Sequence, residues 1–329
     1  MYQPPFSISS AAVNLIAEIS ALVERYAIRL ERSDGLRLRK ASRIKTIHSS
    51  LALEGNRLSE HEVRDVLQGK TVVAPLREIQ EVRNAIKTYE LYSSLDAFSL
   101  SDLLKAHGVM MSALADDAGS FRRGGVGVFA GTSLVHMAPP AARVPGLMND
   151  LFEWLRQAED HLLIRSCVFH YEFEFIHPFS DGNGRMGRLW QSLLLGKLHP
   201  AFEHLPVENM VYANQQAYYE AISASSARAD CAPFVEFMLR EILNTLQHHR
   251  NPHEDVGIND GINVGINLTP AQQRLVELIK RQPRLSVREM AERLELSQRQ
   301  AERVVASLRE KNVIRRVGSN KSGYWEVLD

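Results

Sequence analysis

The chain has 329 residues, of which 45% are apolar and 24% charged, and its formal net charge is zero. These values are typical of globular proteins and exclude wholesale disorder, and the length suggests about two domains. No apolar run reaches the roughly 18 residues of a membrane span, so no membrane partner is expected. The two cysteines, Cys167 and Cys231, indicate a reducing compartment instead of a disulfide framework. We therefore expect a cytoplasmic protein.

Charge is distributed unevenly along the chain. Residues 269–329 contain 13 Lys and Arg against 8 Asp and Glu, a net charge of +5, whereas the remainder has a net charge of −5. This asymmetry predicts a small basic module on an acidic body, and a basic module raises the question of nucleic-acid binding.

The first third of the chain predicts a series of amphipathic helices. Apolar residues recur at helical spacing after Ser9 and Ser10, and again in residues 60–67, 78–95 and 103–114.

The segment from Ser50 to Gly55 has the pattern of a helix end, with Glu54 in the last turn and Gly55 as the left-handed terminator. A carboxylate is poorly placed there, because the helix dipole favours cations at the C-terminus. We therefore expect Glu54 to have a partner elsewhere. The alternative is an ordinary surface glutamate.

Between Gly119 and Gly146 the pattern changes to apolar residues punctuated by glycines. It predicts a short β-hairpin with its turn at residues 130–133. An isolated hairpin needs to pack on another element to persist. We expect His136 to be an exposed residue of this hairpin and not a metal ligand.

The most informative stretch is HPFSDGNGRMGR, from His177 to Arg188. Apolar segments on either side, 162–176 and 189–195, predict a helix, a tight polar loop and a second helix. Gly182 and Gly184 can adopt positive φ, which lets backbone N–H groups approach a ligand closely. The second helix begins with the positive end of its dipole at the same place, so the stretch predicts an anion site.

Four side chains in this stretch suggest that the anion is a polyphosphate. Arg185 and Arg188 are three residues apart and project from one face of the first helical turn. His177, with an unperturbed pKa of about 6.5, can act as a base, and Asp181 can ligate Mg²⁺. The alternative is a polar loop between two core helices.

The stretch resembles the signature of the Fic family, His-Pro-Phe-x-x-Gly-Asn-Gly-Arg-x-x-Arg, at every fixed position. The resemblance implies an all-helical Fic bundle with a small β-hairpin flap. It also implies transfer of a nucleotide monophosphate, usually AMP from ATP, onto a Tyr, Ser or Thr hydroxyl of a target protein or of the chain itself.

The family resemblance implies a role for each signature residue. His177 would take the proton of the attacking hydroxyl, and Asp181 would hold the Mg²⁺ that bridges the α- and β-phosphates. Arg185 would stabilise the leaving pyrophosphate, and Arg188 would hold the γ-phosphate. The remaining phosphate contacts would come from three consecutive residues, Gly182, Asn183 and Gly184.

Segments outside the signature also resemble parts of the family. Ser50, Glu54 and Gly55 fit its inhibitory motif, Ser/Thr-x-x-x-Glu-Gly/Asn, which implies that Glu54 pairs with Arg188 and competes with the ATP γ-phosphate. The predicted hairpin resembles the Fic flap, whose edge holds the target segment by strand addition.

Contacts with the adenine ring are implied for the segment after the signature helix. Its candidates are Asn214 and either Tyr218 or Tyr219. We expect this segment to open a new helix at Val211.

The C-terminal part has the pattern of a separate module. Residues 248–267 contain three Gly-Ile-Asn repeats, which predict a linker. Residues 268–329 predict three helices and two strands, an order that resembles a winged helix-turn-helix. Its expected recognition helix carries residue types that contact bases and phosphates, namely Gln298, Arg299, Gln300, Arg303 and Arg309. Protein contacts or dimerisation are the alternative to DNA binding.

The expected fold is mainly α, with an N-terminal helical region (1–100), a Fic core (101–247), a linker (248–267) and a winged helix-turn-helix (268–329). The leading hypothesis is a self-inhibited AMP transferase that uses ATP and Mg²⁺ and binds its target protein along the flap. One alternative is a DNA-binding regulator that senses nucleotide. Another is a relative that uses a different donor, or that removes AMP from a modified protein with Glu54 positioning water. A homodimer is compatible with each.

Overall fold

The computed structural model describes residues 2–30, 35–130, 133–205, 207–248, 275–276, 278–279, 282–294, 297–310, 313–317 and 324–327. The chain divides into two compact units, Met1–Arg250 and Asn251–Asp329. Residues 249–267 of the predicted linker lie outside the described residues. The other domain boundaries stay predictions. In the described parts of the chain, every helix is too short or too polar to cross a bilayer.

The first unit is built from helices. Its α-helices are α1 (Ser10–Leu30), α2 (Gly35–Leu53), α3 (Glu60–Leu67), α4 (Leu76–Glu90), α5 (Leu100–Met110), α6 (Val144–Gln157), α7 (Leu162–Ile176), α8 (Asn183–Leu198), α9 (Val207–Ala213), α10 (Gln215–Arg228) and α11 (Ala232–His248). Short 3₁₀ turns lie at Tyr92–Ser94, Ala141–Arg143 and Pro200–His204.

Helices α7 and α8, which flank the signature, lie at the centre of this unit. Apolar side chains occur all around α7, and a helix without a polar face is buried on every side. Helix α8 packs along it, and Trp190 of α8 packs edge-on against Phe152 at 6.2 Å. The Trp190 indole donates to the carbonyl oxygen of Ala97 at 2.9 Å, so its one polar atom is satisfied in the core. The predicted helix, loop and helix are confirmed.

The N-terminal helices share the core of the signature helices. Helix α1 packs on α11, α2 packs on α9, and one cluster of buried apolar residues extends from Ala12 to Leu246. The end of α2 is therefore held close to α8 by packing, before any polar contact is considered.

The predicted hairpin is present. Strands β1 (Gly127–Ala130) and β2 (Ser133–Met137) are antiparallel, with Gly127 opposite Met137. The amide of Ala138 donates to the carbonyl oxygen of Val126 at 3.3 Å and extends the pairing by one step. Residues 131–132 of the turn lie outside the described residues. We refer to residues 127–137 as the flap.

Some predicted helix limits are wrong, and α4 ends at Glu90 instead of 95. Helix α5 ends at Met110 instead of 114, since the Asn84 amide donates to the carbonyl oxygens of Met110 at 3.1 Å and Ser112 at 2.7 Å, and Ala113 has a φ of 59°. The segment expected to open a helix at Val211 lies in α9, which begins at Val207. The helical conformation is interrupted at Asn214, whose φ is −125°, and α10 begins at the next residue.

The second unit has its own small core. Its described elements are α12 (Val287–Arg293), α13 (Gln298–Glu310), β3 (Ile314–Val317) and β4 (Tyr324–Val327), with the strands antiparallel. Ser286 and Ser297 begin the two helices as capping residues, and Trp325 anchors β4 by donating its indole N–H to Leu285. Two helices followed by a hairpin confirm the predicted winged-helix class, so the mainly α fold with a flap and a C-terminal winged-helix module is confirmed.

Candidate functional site

The signature loop, residues 177–182, is held by two residues in the left-handed region. His177 ends α7 with φ 49° and ψ 63°, and Gly182 begins α8 with φ 85°. The predicted positive φ at Gly184 is wrong, because Gly184 lies within the first turn of α8. Its lack of a side chain serves a different purpose. A Cβ there would lie 2.6 Å from Glu54 Oε1 and 2.8 Å from Arg188 Nη1.

Asn183 holds the signature loop closed instead of presenting its side chain to a ligand. Its Oδ1 accepts from the amide of Phe179 at 2.8 Å, and its Nδ2 donates to the carbonyl oxygen of Phe179 at 2.8 Å. The side chain of Asn183 is buried, so the predicted phosphate contact is left to its backbone N–H at the start of α8.

His107 packs against the signature loop. The sequence did not predict this role. Its ring stacks on Phe179 with centroids 3.6 Å apart. Its Nδ1 accepts from the amide of Gly119 at 2.9 Å, so the proton of the neutral ring is on Nε2, which donates to the carbonyl oxygen of Asp181 at 3.0 Å. Burial lowers the pKa of His107, in agreement with a neutral ring. A lone histidine on an apolar helix gave no signal of this role.

Asp181 lies at the rim of the site with its side chain 41% exposed. Its Oδ1 accepts from the amide of Gly182 at 2.6 Å and from Arg185 Nη2 at 3.0 Å, and its Oδ2 lies 3.3 Å from Arg77 Nη2. Arg77, on α4, was not predicted to contact the signature.

The donor set fits a magnesium ion that arrives with a polyphosphate. Mg²⁺ is commonly held by one or two carboxylates together with phosphates and water. Asp181 supplies one such carboxylate, and the described residues contain no group of three or more His, Cys, Asp and Glu side chains that could hold a metal ion by themselves.

The two signature arginines are buried and keep N–H groups unpaired. Arg185 and Arg188 are 2% and 3% exposed. Within the part of the chain that the structure describes, Arg185 Nε and Nη1 and Arg188 Nε make no hydrogen bond. Buried guanidinium N–H groups without acceptors are costly, and an anion in the site would satisfy them.

Glu54 contacts Arg188, as the inhibitory motif implies. Its Oε1 lies 3.0 Å from Arg188 Nη2, which also donates to the carbonyl oxygen of Ser50 at 3.1 Å. Burial lowers the pKa of Arg188, but Glu54, Tyr218 and Glu174 together outweigh it, and the pKa of Arg188 is raised. The end of α2 is therefore joined to α8 by a charge pair of which Arg188 is buried and Glu54 is partly open to solvent.

A cavity of about 210 Å³ opens beside this pair. Its lining includes Glu54, Glu174, His177, Arg188, Tyr219 and Gly127, the first residue of the flap.

Glu174 is a further acid in the cavity wall that sequence reasoning missed, because it stands within an aromatic-rich helix. Its Oε2 lies 3.8 Å from His177 Nδ1. Burial raises the pKa of Glu174 to about 7, with Arg188 opposing the shift and Glu54 adding to it.

The three adenine candidates do not lie together. Tyr218 and Tyr219 both line the cavity. Tyr218 is 4% exposed and its hydroxyl lies 3.1 Å from His170 Nε2, so much of it is core. Asn214 donates to Glu241 at 2.7 Å, outside the cavity lining. Tyr219 is the candidate that the geometry favours.

In the second unit, part of the expected recognition helix is exposed. Gln298, Gln300, Arg303 and Arg309 are exposed on α13, although Gln300 also accepts from Ser297 at the start of the helix. The side chain of Arg299 lies outside the described residues. Arg316 stacks over the Trp325 ring at 5.0 Å, which leaves one basic side chain fixed beside β4.

The helical bundle and its site define a class. A tight loop leads into the N-terminus of a helix that carries two buried arginines. A carboxylate from the end of another helix pairs with one of these arginines, and a base and a possible metal ligand lie nearby. This is a helical domain whose site has the chemistry to hold an anion, joined in the same chain to a winged-helix module.

Comparisons with known proteins agree with this class. The Fic/DOC family pattern matches residues 97–195, and the MarR family pattern matches residues 266–323. The crystal structure of a Fic family protein from Desulfovibrio desulfuricans G20 is 42% identical, with a TM-score of 0.73, and the match covers 99% of this chain and 98% of that one. The chain therefore belongs to the Fic family.

Curated relatives match over part of their length. The protein adenylyltransferase Fic of Aedes aegypti is 28% identical over 213 residues, which are 61% of this chain and 40% of that protein. Protein adenylyltransferase fic-1 of Caenorhabditis elegans is 27% identical over 251 residues, 71% of this chain and 46% of that protein. The chain thus spans less than half the length of these relatives.

Proposed function

We propose that the protein transfers AMP from ATP to a Tyr, Ser or Thr hydroxyl of a target protein or of itself, and that Glu54 restrains this activity. The observation that carries the proposal is the ion pair of Glu54 with the buried Arg188 at 3.0 Å, in the wall of a cavity at the N-terminus of α8. A carboxylate there occupies a guanidinium that otherwise suits a phosphate. The names of the curated relatives, protein adenylyltransferase, support the same reaction class.

The reaction needs positioning and charge neutralisation more than covalent help. The hydroxyl oxygen of the target forms a bond to the α-phosphorus of ATP, and the bond to the pyrophosphate oxygen breaks. His177, in the cavity wall, takes the hydroxyl proton. The unpaired N–H groups of Arg185 stabilise the charge that develops on pyrophosphate.

Asp181 is the residue that would hold Mg²⁺. The metal ion, when bound, neutralises phosphate charge. Arg77 and Arg185 share the carboxylate of Asp181, so both must adjust as the ion and the phosphates enter.

Arg188 would hold the γ-phosphate once Glu54 has left it. Asn183 and Gly184 would offer backbone N–H groups at the start of α8, and Gly182 would add its own once Asp181 releases it. Tyr219 would contact the base, and the target segment would add to the flap, which begins at the cavity.

The test is labelling of purified full-length protein with Mg²⁺ and α-labelled ATP. We expect Glu54→Gly to raise label incorporation by about tenfold or more, the weight of one charge-assisted hydrogen bond. Glu54→Gln, which keeps the size and loses the charge, should show an intermediate rise. His177→Ala in the Glu54→Gly background should abolish labelling.

Other outcomes select the alternatives. Unchanged labelling in Glu54→Gly would show that Glu54 does not inhibit. If AMP is instead released from a modified protein, and Glu54→Gly loses that release, then Glu54 positions the water of the reverse reaction.

DNA binding by the second unit is a second candidate function. The MarR family match over residues 266–323 and the exposed Arg303 and Arg309 on α13 favour it. The net charge of +5 over residues 269–329 adds a non-specific attraction to phosphates.

A further inference from the structure

Arg122 is a buried arginine outside the signature that contacts three consecutive residues around His177. Its backbone N–H donates to the carbonyl oxygen of Pro178 at 3.0 Å. Its Nε donates to the carbonyl oxygen of His177 at 2.7 Å, and its Nη2 to that of Ile176 at 3.3 Å. The last carbonyls of α7 have no helical partner, and a cation is the favoured partner at a helix C-terminus.

The same guanidinium binds both ends of the segment that contains the flap. Nη1 donates to the carbonyl oxygen of Gly124 at 2.8 Å, and Nη2 donates to that of Pro139 at 2.6 Å. Gly124 precedes β1 and Pro139 follows β2. One side chain therefore joins the base of the flap to the turn that carries His177.

This arrangement requires the rigid, planar guanidinium group of an arginine. Arg122 is 3% exposed, and burial lowers its pKa without an offsetting neighbour among the causes. Carbonyl dipoles, not a carboxylate, stabilise the cation. Lysine keeps the charge but has a single ammonium group, which cannot reach carbonyls on opposite sides of a plane.

The backbone of His177 explains why such a clamp is useful. His177 is one of the few described residues other than glycine with a positive φ, 49°. A strained conformation of this kind persists only where the surroundings fix it, and it is commonly found at functional sites. The hydrogen bonds of Arg122 to three adjacent carbonyls fix it here.

We propose that Arg122 is a positioning residue that sets the His177 imidazole relative to the flap, so that a hydroxyl presented at the flap meets the base. The inference rests on the proposed AMP transfer. The side chain of Arg122 donates to backbone carbonyl oxygens and is not part of the cavity lining, so it acts through His177 and the flap and not on the substrate itself. Its loss should therefore slow the chemical step and leave nucleotide affinity nearly unchanged.

The test compares Arg122→Lys with Arg123→Lys, both in full-length Glu54→Gly protein. Arg123 is the adjacent exposed arginine and serves as the matched control. We expect Arg122→Lys to lower the self-labelling rate at saturating ATP by about 30- to 100-fold, as for a misplaced catalytic group. The Kd of an ATP analogue with a methylene α–β bridge should change less than twofold. The control should match the parent in both measurements.

Hydrogen exchange gives a readout that does not depend on activity. In Arg122→Lys the amide of Ala138, which pairs with Val126, should exchange at least tenfold faster, and Arg123→Lys should leave it unchanged. Unchanged exchange at Ala138, or an unchanged labelling rate in a parent that labels, would overturn the proposal. If the Glu54→Gly parent does not label at all, the proposed function fails, and the exchange still decides the role of Arg122.

If Arg122→Lys does not fold, the inference can still be tested on the native protein. The Nε–H proton of Arg122 should exchange with solvent at least 100-fold more slowly than that of Arg123 in the same molecule. Equal rates would mean that the clamp is not closed in solution, and the inference would be wrong.

Discussion

At the scale of single residues, the site depends on groups held in costly states. His177 has a positive φ, Arg185 and Arg188 keep buried N–H groups unpaired, and Glu174 is an acid in the cavity wall. Each of these states lowers stability by an amount on the order of 1 kcal/mol or more. The surrounding core and the Arg122 hydrogen bonds offset the cost.

Glu174→Gln should change the pH dependence of stability. The pKa of Glu174 is raised from 4.5 to about 7, so the unfolded chain loses this proton first as pH rises. Stability from the protonated acid is fully present below pH 4.5 and is lost as pH rises through about 7. The variant, which cannot titrate, should gain stability over the wild type by up to about 3 kcal/mol between pH 5 and pH 8.

Denaturant unfolding at several pH values measures this difference. The exposed Glu153→Gln on α6 is the control and should run parallel to the wild type. Parallel curves for Glu174→Gln would show that the carboxyl group is already ionised in the folded protein at pH 5.

At the scale of elements, helix α2 reaches the site at its C-terminal turn. Arg188 donates to the carbonyl oxygen of Ser50, in the last turn of the helix, and to the carboxylate of Glu54. Glu54 directly follows Leu53, the last residue of the helix. Packing of α2 against α9 keeps the rest of the helix in place. A ligand that takes Arg188 would therefore release the last turn without moving the whole helix.

Hydrogen exchange of residues 51–56 should report this release. We expect Mg–ATP to raise exchange of these amides in the wild-type protein, because the γ-phosphate displaces Glu54 from Arg188. AMP lacks that phosphate and should have no effect. In Glu54→Gly the amides should exchange fast already, with no further change on adding ATP. An equal response to AMP and ATP would place the displacing group elsewhere than the γ-phosphate.

At the scale of the whole molecule, two units each have a core of their own. The core of the first unit extends from Ala12 to Leu246, and that of the second includes Leu275, Met290, Leu308 and Trp325. Separate cores allow separate folding.

Residues 1–250 should fold and act without the second unit. We expect this fragment to unfold cooperatively and, with Glu54→Gly, to self-label at the rate of the full-length variant within about twofold.

The full chain should bind duplex DNA with an affinity that falls as the salt concentration rises. The slope of the logarithm of the association constant against the logarithm of the salt concentration should be about −0.9 for each phosphate contact. The fragment should lack this binding. Equal duplex binding by chain and fragment would remove DNA recognition from the second unit.

Much of the architecture could be predicted from local patterns. Helical periodicity placed most of the helices, glycine punctuation placed the flap, and the spacing within HPFSDGNGRMGR placed a loop between two helices. One error falls where a distant side chain intervenes, since Asn84 captures the carbonyls at the end of α5. Another is the interruption of the helix at Asn214, which separates α9 from α10.

The candidate site was predicted only where it is contiguous in sequence. His177, Asp181 and the two arginines stand in one stretch, and the motif around Glu54 pointed to its pairing with Arg188. Arg77, His107, Arg122 and Glu174 were missed, since an arginine or a histidine in a helix or a loop looks the same in sequence whether it faces solvent or a neighbouring backbone.

The sequence by itself determined the fold class, the anion-binding loop and the chemical types of its side chains, because these depend on local spacing and residue identity. Only the tertiary structure decided which groups close on that loop. The Gly184 gap that admits Glu54, the His107 ring under Phe179 and the hydrogen bond of Arg122 to His177 join residues 55 to 130 positions apart in the chain. Such contacts arise when helices pack, and packing is a property of the folded chain as a whole.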